Sequence, residues 1–362
     1  MQSSQGSQGS DGIRCLLMRG GTSKGAYFLA DDLPADPAER DELLLQIMGS
    51  PDERQIDGIG GAHPLTSKAA VISPSTDGNS DVDYLFLQVS VDKAEVSDRQ
   101  NCGNILAGVG PFAVERGLVA AQRGTTPVRI RMLNSDSIAT ASFPTPDGTV
   151  EYRGGASIDG VPGTAAGITL AFEDTAGSST GALLPTGHES DVVDGIRATC
   201  VDNGMPSVLM QASDLGVDGT ESPAELEAMP ELADRLARIR VEAAALMGMG
   251  DVSESTVPKL VLLSAPHHGG AINTRSFLPV RCHTSIGVLG GTTVAAGVQL
   301  PGAVGHQLAD LPPAGEPLRL EHPTGYLDVG AELADGPSGI TTRSSTVLRT
   351  ARKLFDGVVF PR

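Results

Sequence analysis

The chain has 362 residues, about twice the length of an ordinary domain, so two domain-sized cores are expected rather than one. Apolar residues make up 40% and charged residues 19%, which excludes a disordered chain, and aromatics at 3% with no Trp argue against a base-stacking surface. A formal charge of -18 with no basic stripe argues equally against nucleic acid or anionic membrane as a partner.

Residues 1–11 are Ser, Gln and Gly without a basic region followed by an apolar one. They read as a disordered polar tail, not a targeting segment, and no apolar run is long enough to span a bilayer. Short strands are predicted over 13–18, 26–30, 69–73, 82–91, 128–132, 138–143 and 168–172, each bounded by Gly, Pro, Asp or Asn. A helix is predicted from Asp36-Pro37-Ala38-Glu39, an N-cap, an N1 proline and an N3 carboxylate, to a stop at Gly49. Ser222-Pro223-Ala224-Glu225 repeats that start signal, and one apolar face then continues to Gly248. Both are expected at the surface.

Two further helices, 103–116 and 285–296, are apolar on nearly every side and so belong inside a structure, although Pro111 should kink or split the first. Each half of the chain thus combines many short strands with one buried helix. The Gly-, Ser- and Thr-rich tract 174–194 reads as the crossing between them. The four cysteines, Cys15, Cys102, Cys200 and Cys282, form no CxxC pair, and free thiols in a reducing, cytoplasmic compartment are expected.

Three clusters carry candidate chemistry. Arg19-Gly20-Gly21-Thr22-Ser23-Lys24-Gly25 lacks the GxxxxGK[ST] spacing of a nucleotide loop. Its glycines, hydroxyls and cations could hold a small carboxylate, or could simply form a hairpin turn with incidental charges. The stretch 57–68 does not satisfy GxGxxG. Lys68, entering a buried strand, is either a desolvated base or a strand-mouth lysine with its ammonium in water.

Gln100-Asn101-Cys102-Gly103-Asn104 opens the first buried helix, where unpaired amides attract anions and favour a thiolate. Cys102 is therefore an acid/base candidate, with a buried apolar filler as the alternative. In the second half Arg275, Arg281, Cys282, His283, Thr284 and Ser285 lead into the other buried helix. Cys282 could be a second thiol or core packing, and His283 could cap the helix, bind substrate or be structural. No HExxH or GxSxG spacing occurs, so neither a metal site nor a serine nucleophile is expected.

Together these motifs, followed by 181–187, 275–283, Glu321-His322-Pro323 with Gly325, and 347–352, resemble the PrpF family of the diaminopimelate-epimerase-like superfamily over nearly the whole chain beyond Asp11. The resemblance implies an α+β fold of two similar lobes, each a mostly antiparallel sheet wrapped around a central buried helix, with the site in the cleft between them. The lobes are expected over 12–187, carrying Lys68 and Cys102, and over 188–345, with the return of the segment 346–362 to the first lobe left open.

It further implies a cofactor-independent isomerase of unsaturated tricarboxylates, of which 4-oxalomesaconate from gallate or protocatechuate breakdown is the leading substrate and 2-methylaconitate the alternative. A non-catalytic carboxylate-binding protein is the alternative of another class. Lys68 matches the lysine considered the general base, and Cys102 the cysteine at the first helix. The substrate is expected to meet Arg19, Thr22, Ser23, Lys24, Ser67, Asn101, Gly103, Asn104, Arg275, His283, Thr284 and Ser285. Where diaminopimelate epimerase places its second cysteine this chain has His283-Thr284-Ser285. No metal or cofactor is implied, the partner is a small polycarboxylate, and a homo-oligomer is left open.

Overall fold

The local signals act first. Asp36 accepts hydrogen bonds from the N–H groups of Ala38 and Glu39, and Gly49 at φ 79° closes the helix, in the left-handed region where glycine carries no Cβ penalty. A computed structural model describes residues 12–99, 101–253, 255–278, 281–336 and 339–362. The polar tail 1–11 and Gln100 lie outside the described residues.

The elements in chain order are β1 (Ile13–Gly20), β2 (Ser23–Leu29), α1 (Pro37–Met48), β3 (Lys68–Pro74), β4 (Val82–Val89), β5 (Val96–Ser97), α2 (Gly103–Glu115), β6 (Gly124–Met132), β7 (Ser137–Thr145) and β8 (Gly167–Phe172). There follow β9 (Asp191–Val193), β10 (Ile196–Val201), β11 (Ser207–Gln211), α3 (Pro223–Glu227), α4 (Pro230–Leu246), β12 (Lys259–Ser264), β13 (Ile272–Leu278) and β14 (Arg281–Cys282). The chain ends with α5 (Val288–Val298), β15 (Leu318–His322), β16 (Gly325–Gly336) and β17 (Gly339–Val359).

Two units result. One comprises the described residues of 12–157, 161–170 and 349–362, the other those of 158–160 and 171–348, so the main division falls after Leu170 rather than after residue 187. In the first unit β1–β2, β3–β4 and β6–β7 pair antiparallel, while β2–β3 and β4–β6 pair parallel across helical crossovers. The final stretch of β17 completes it by pairing antiparallel with β1, from Ile13 opposite Val359 to Gly20 opposite Ala351. Helix α2 touches β1, β2, β3, β4, β6 and β7. The strands from β1 to β7 that it touches are thus wrapped around the helix.

The second unit repeats the same succession. β10–β11, β12–β13 and β15–β16 are antiparallel, β11–β12 and β13–β15 parallel, and α5 lies against β10, β11, β15 and β16. The outer face of each sheet has its own core. Ala69, Val71 and Leu87 pack with Leu44, Ile47 and Met48 of α1, and Leu260, Leu262, Phe277 and Cys282 pack with Leu232, Leu236 and Ile239 of α4.

Three helices differ from expectation. Pro111 lies inside an unbroken α2, whose residues from Ile105 to Ala113 are all buried. Burying Ile105, Leu106, Val109 and Phe112 contributes about 1.5–3 kcal/mol each, which outweighs the roughly 3 kcal/mol cost of an interior proline. The predicted helix from Ser222 is two, α3 with a complete Ser222–Glu225 capping box and α4, because Pro230 starts a helix but cannot continue one. The last buried helix begins at Val288 with Gly287 as its cap, not at Ser285. Among the described residues no helix is long and apolar enough to cross a membrane.

Candidate active site

Lys68 opens β3 opposite Gly25 of β2, and two rungs on Ala70 lies opposite Tyr27, whose hydroxyl donates to the Ile105 carbonyl of α2 at 2.6 Å. Strand alternation therefore turns Lys68 toward α2 while Ala69 and Val71 face the outer core. Gly25 leaves the room: a Cβ there would lie 2.7 Å from the Lys68 carbonyl oxygen and 3.1 Å from Ile105 Cδ1, so this rung abuts the first turn of the helix. Lys68 is 6% exposed, its Nζ donates to Gln88 Oε1 at 2.6 Å, and it lies 4.9 Å from the Phe86 ring centroid. It is not a strand-mouth lysine with its ammonium in water.

Gln88, which sequence reasoning missed, pairs directly with Lys68 across β3–β4. Its Nε2 donates to the carbonyls of Pro64 and Ser67 at 3.0 and 3.1 Å, which fixes the amide with its oxygen toward the ammonium. Ser67 differs from its expected role at the substrate. Its hydroxyl is fully buried and donates to Gln55 Oε1 at 2.6 Å, bracing the 55–62 loop.

Cys102 is the N-cap of α2, with extended backbone and no side-chain cap, and its carbonyl accepts the first helical bond from Leu106. The amides of the first turn are thus left without a capping side chain. Asn104 Nδ2 donates to Thr22 Oγ1 at 3.0 Å, tying the β1–β2 turn to this helix end, and Gly21 at φ +51° sits where any Cβ would strike the Asn104 side chain. Ser23, the first residue of β2 after the turn, is 1% exposed, and its hydroxyl has no hydrogen-bond partner among the described residues. The buried Oδ1 of Asn101 is likewise unpaired, while its Nδ2 donates to Ser135. Lys24 is half-buried, with its Nζ beside Gly61.

Arg19 behaves differently from the free cation expected. Its Nη1 donates to the carbonyls of Gly21 and Thr350 and to the Thr350 hydroxyl, clamping the turn to β17. Burial, and then repulsion from Arg352, lower its pKa. A second residue missed by sequence reasoning is Arg349 of β17, which burial brings down to about 10 while the Cys102 charge partly restores it. The tyrosines on this side, Tyr27 and Tyr84, are raised well above their ordinary value by burial and then by Cys102.

In the second unit the predicted residues separate. Arg275 pairs with Leu262 and so shares the outer face that packs on α4. Its guanidinium is consumed there by the Glu221 carbonyl at 2.7 Å, Asn273 Oδ1 and the Thr274 carbonyl, which removes it from the expected substrate set. Cys282 packs in the same core, and burial pushes its thiol up to about 11. His283 Nδ1 accepts the Ser285 N–H at 2.8 Å, Ser285 Oγ lies 3.2 Å from His322 Nε2, and Thr284 presents its carbonyl to the Thr324 hydroxyl. Burial and then Lys259 lower the His283 pKa, so the ring is neutral at pH 7. Among the described residues no cluster of His, Cys, Asp or Glu is arranged to hold a metal ion.

Known proteins bear on this arrangement. The chain is 57% identical to the 4-oxalomesaconate tautomerase of Pseudomonas putida over 96% of this chain and 95% of that protein. It is 55% identical to the (4E)-oxalomesaconate Delta-isomerase of Novosphingobium sp. strain KA1 over 97% and 98%. The crystal structure of methylitaconate-delta-isomerase superimposes with a TM-score of 0.87 at 34% identity, over 96% of this chain and 95% of that one. A hydroxyproline epimerase from Agrobacterium vitis shares the fold alone, with a TM-score of 0.52 at 16% identity over 97% and 93%. The model of the PrpF protein family matches residues 11–361, and with these relatives it shows that the chain belongs to the PrpF family, on an epimerase-like fold.

Proposed function

We propose that this chain is an isomerase that moves a proton and a double bond in 4-oxalomesaconate, in aromatic breakdown of the gallate or protocatechuate type. The observation that carries the proposal is the placement of the buried Lys68 ammonium on the α2 side of its sheet, beside a helix start that holds Cys102 and an unpaired Ser23 hydroxyl. The two high-identity relatives bear names for this chemistry.

Lys68 acts as the base and takes a proton from carbon next to the conjugated ketone. The C–H electron pair passes into the conjugated system as a dienolate, and the substrate's own carbonyl is the electron sink, so no cofactor is called for. The uncapped amides of α2 with Ser23, Thr22 and Lys24 stabilise the developing oxyanion, which supplies the larger share of the rate. Cys102 gives its thiol proton to oxygen or to the far carbon, and the proton taken up by Lys68 passes back to the thiolate through solvent, which restores both groups. The repeated pairing order supports reading the two units as two versions of one lobe. The four unpaired cysteines accord with a reducing compartment, and we place the reaction in the cytoplasm.

Purified protein with 4-oxalomesaconate in deuterated buffer, followed by NMR beside 2-methylaconitate, tests this. Turnover with deuterium incorporation is expected, falling about 10²- to 10⁴-fold in Lys68→Met and by a smaller, graded amount in Cys102→Ser. Near-normal turnover in Lys68→Met removes the base assignment. Turnover of 2-methylaconitate alone overturns the substrate.

A further inference from the structure

The repeated topology supplies a residue that neither the motifs nor the reaction scheme uses. In the first unit Lys68 is the first residue of its strand, paired with Gly25 across the parallel β2–β3 ladder. In the second unit the first residue of the corresponding strand is Lys259, paired with Ser207 across the parallel β11–β12 ladder. Two rungs on, Leu209 pairs with Val261, and a Cβ added to Gly297 of α5 would lie 2.5 Å from Leu209 Cδ1. The alternation that puts Leu209 and Val261 against α5 puts Ser207 and Lys259 on that same face, opposite Leu260 and Leu262 in the outer core. Lys259 thus occupies the rung and the face that Lys68 occupies in the first unit.

Its surroundings differ in one respect. Lys68 has Gln88 opposite it as an acceptor, whereas the residue that follows Phe277, the partner of Leu260, is Leu278, 40% exposed and without a polar atom in its side chain. His283 joins Lys259 on this face. Its N–H bonds the Ser276 carbonyl, and Ser276 pairs with Val261, so the ring follows the alternation of Lys259 rather than that of Phe277 and Cys282. With Nδ1 accepting from Ser285, the proton of the neutral ring sits on Nε2, which is left as a donor. Burial and the Arg240 charge disfavour the Lys259 ammonium, and Lys259 in turn disfavours a charge on His283. The Arg240 guanidinium is occupied by the Val252 and Ser255 carbonyls. A half-buried cation on the same face as a donating imidazole, with Arg240 adding to the cationic charge, is stabilised by an anion.

We propose that Lys259 and His283 form a carboxylate-binding site in the second unit, and that it takes a small polycarboxylate of the substrate's class. This rests on the isomerase reading for its occupant. Lys259 is then a binding residue, and its loss acts on affinity rather than on the turnover number.

The test compares wild type, Lys259→Met and Lys259→Arg, each checked for an unchanged melting temperature. Binding of propane-1,2,3-tricarboxylate, which has no ketone to react, is measured by calorimetry, and 4-oxalomesaconate turnover by steady-state kinetics. The expected result in Lys259→Met is a Kd and a KM each raised about ten- to hundredfold, the range of a hydrogen bond to a charged group, with kcat within about threefold and most of the affinity restored in Lys259→Arg. If Lys259→Met does not fold, Lys259→Gln carries the same comparison. Unchanged Kd and KM overturn the site while leaving the isomerase reading intact. Tricarboxylate binding that is lost in Lys259→Met, in a wild type that turns over no 4-oxalomesaconate, supports the site and overturns the isomerase reading.

Discussion

Ser23 carries a hydroxyl that its own fold leaves unsatisfied. A hydroxyl 1% exposed and without a partner among the described residues costs about 1–3 kcal/mol of desolvation unless something outside the chain satisfies it. Removing it separates folding from binding. Ser23→Ala is expected to keep or slightly raise the melting temperature, because an unsatisfied polar group is lost, and to raise KM for 4-oxalomesaconate about tenfold. A lowered melting temperature with unchanged KM makes the hydroxyl structural. Lys68 and Cys102 were legible as candidates from their positions at a strand mouth and a helix start. Gln88 was not, because an amide twenty residues downstream of Lys68 becomes its partner only when β3 and β4 pair in register.

At the scale of elements, buried charges here are mostly spent on holding loops. Glu321 of β15 is 3% exposed, and its carboxylate accepts the N–H groups of His267, His268 and Gly270 at 2.6–2.8 Å, pinning the turn between β12 and β13. Burial alone would raise its pKa, but the N–H groups of His267, Gly270 and His268 outweigh burial and hold it below 4.5. The stabilisation is therefore complete above the unfolded value and is lost as pH falls through the lower folded value. Glu321→Gln is expected to lose about 2–3 kcal/mol at neutral pH, with the difference from wild type shrinking below about pH 4. Thermal melts across pH check this, and a difference that does not change with pH rules out the carboxylate as its source. Arg275 illustrates the same point. Its sequence position before the second buried helix suggests a substrate cation, but its pairing with Leu262 turns it to the outer face, where three backbone and side-chain oxygens take it up.

At the scale of the whole molecule, the chain leaves its first unit after Leu170 and returns to it at Arg349 through the single long strand β17. The returning stretch supplies a complete antiparallel partner for β1, the Thr350 acceptors for Arg19, and Val359 for the core beneath α1. Ending the chain at Leu348 is expected to unfold the first unit: amides of β1–β4 should lose hydrogen-exchange protection while those of β10–β13 keep it. Retained protection throughout would show that β1 does not need this partner. The return was an open question in the sequence because 346–362 carries no local signal for its partner, which lies more than three hundred residues away.

The sequence by itself determined the two helices that must be buried, the capped surface helices, the strand-rich halves and the strand and helix starts where Lys68 and Cys102 stand, because propensity, capping and apolar periodicity act over a few residues. Only the tertiary structure decided which face each charged residue takes. Arg275 and Lys259 both sit on β-strands of the second unit, and no local pattern tells which of them turns toward α5. That choice is set by strand register, where one residue of shift exchanges the two faces of the sheet.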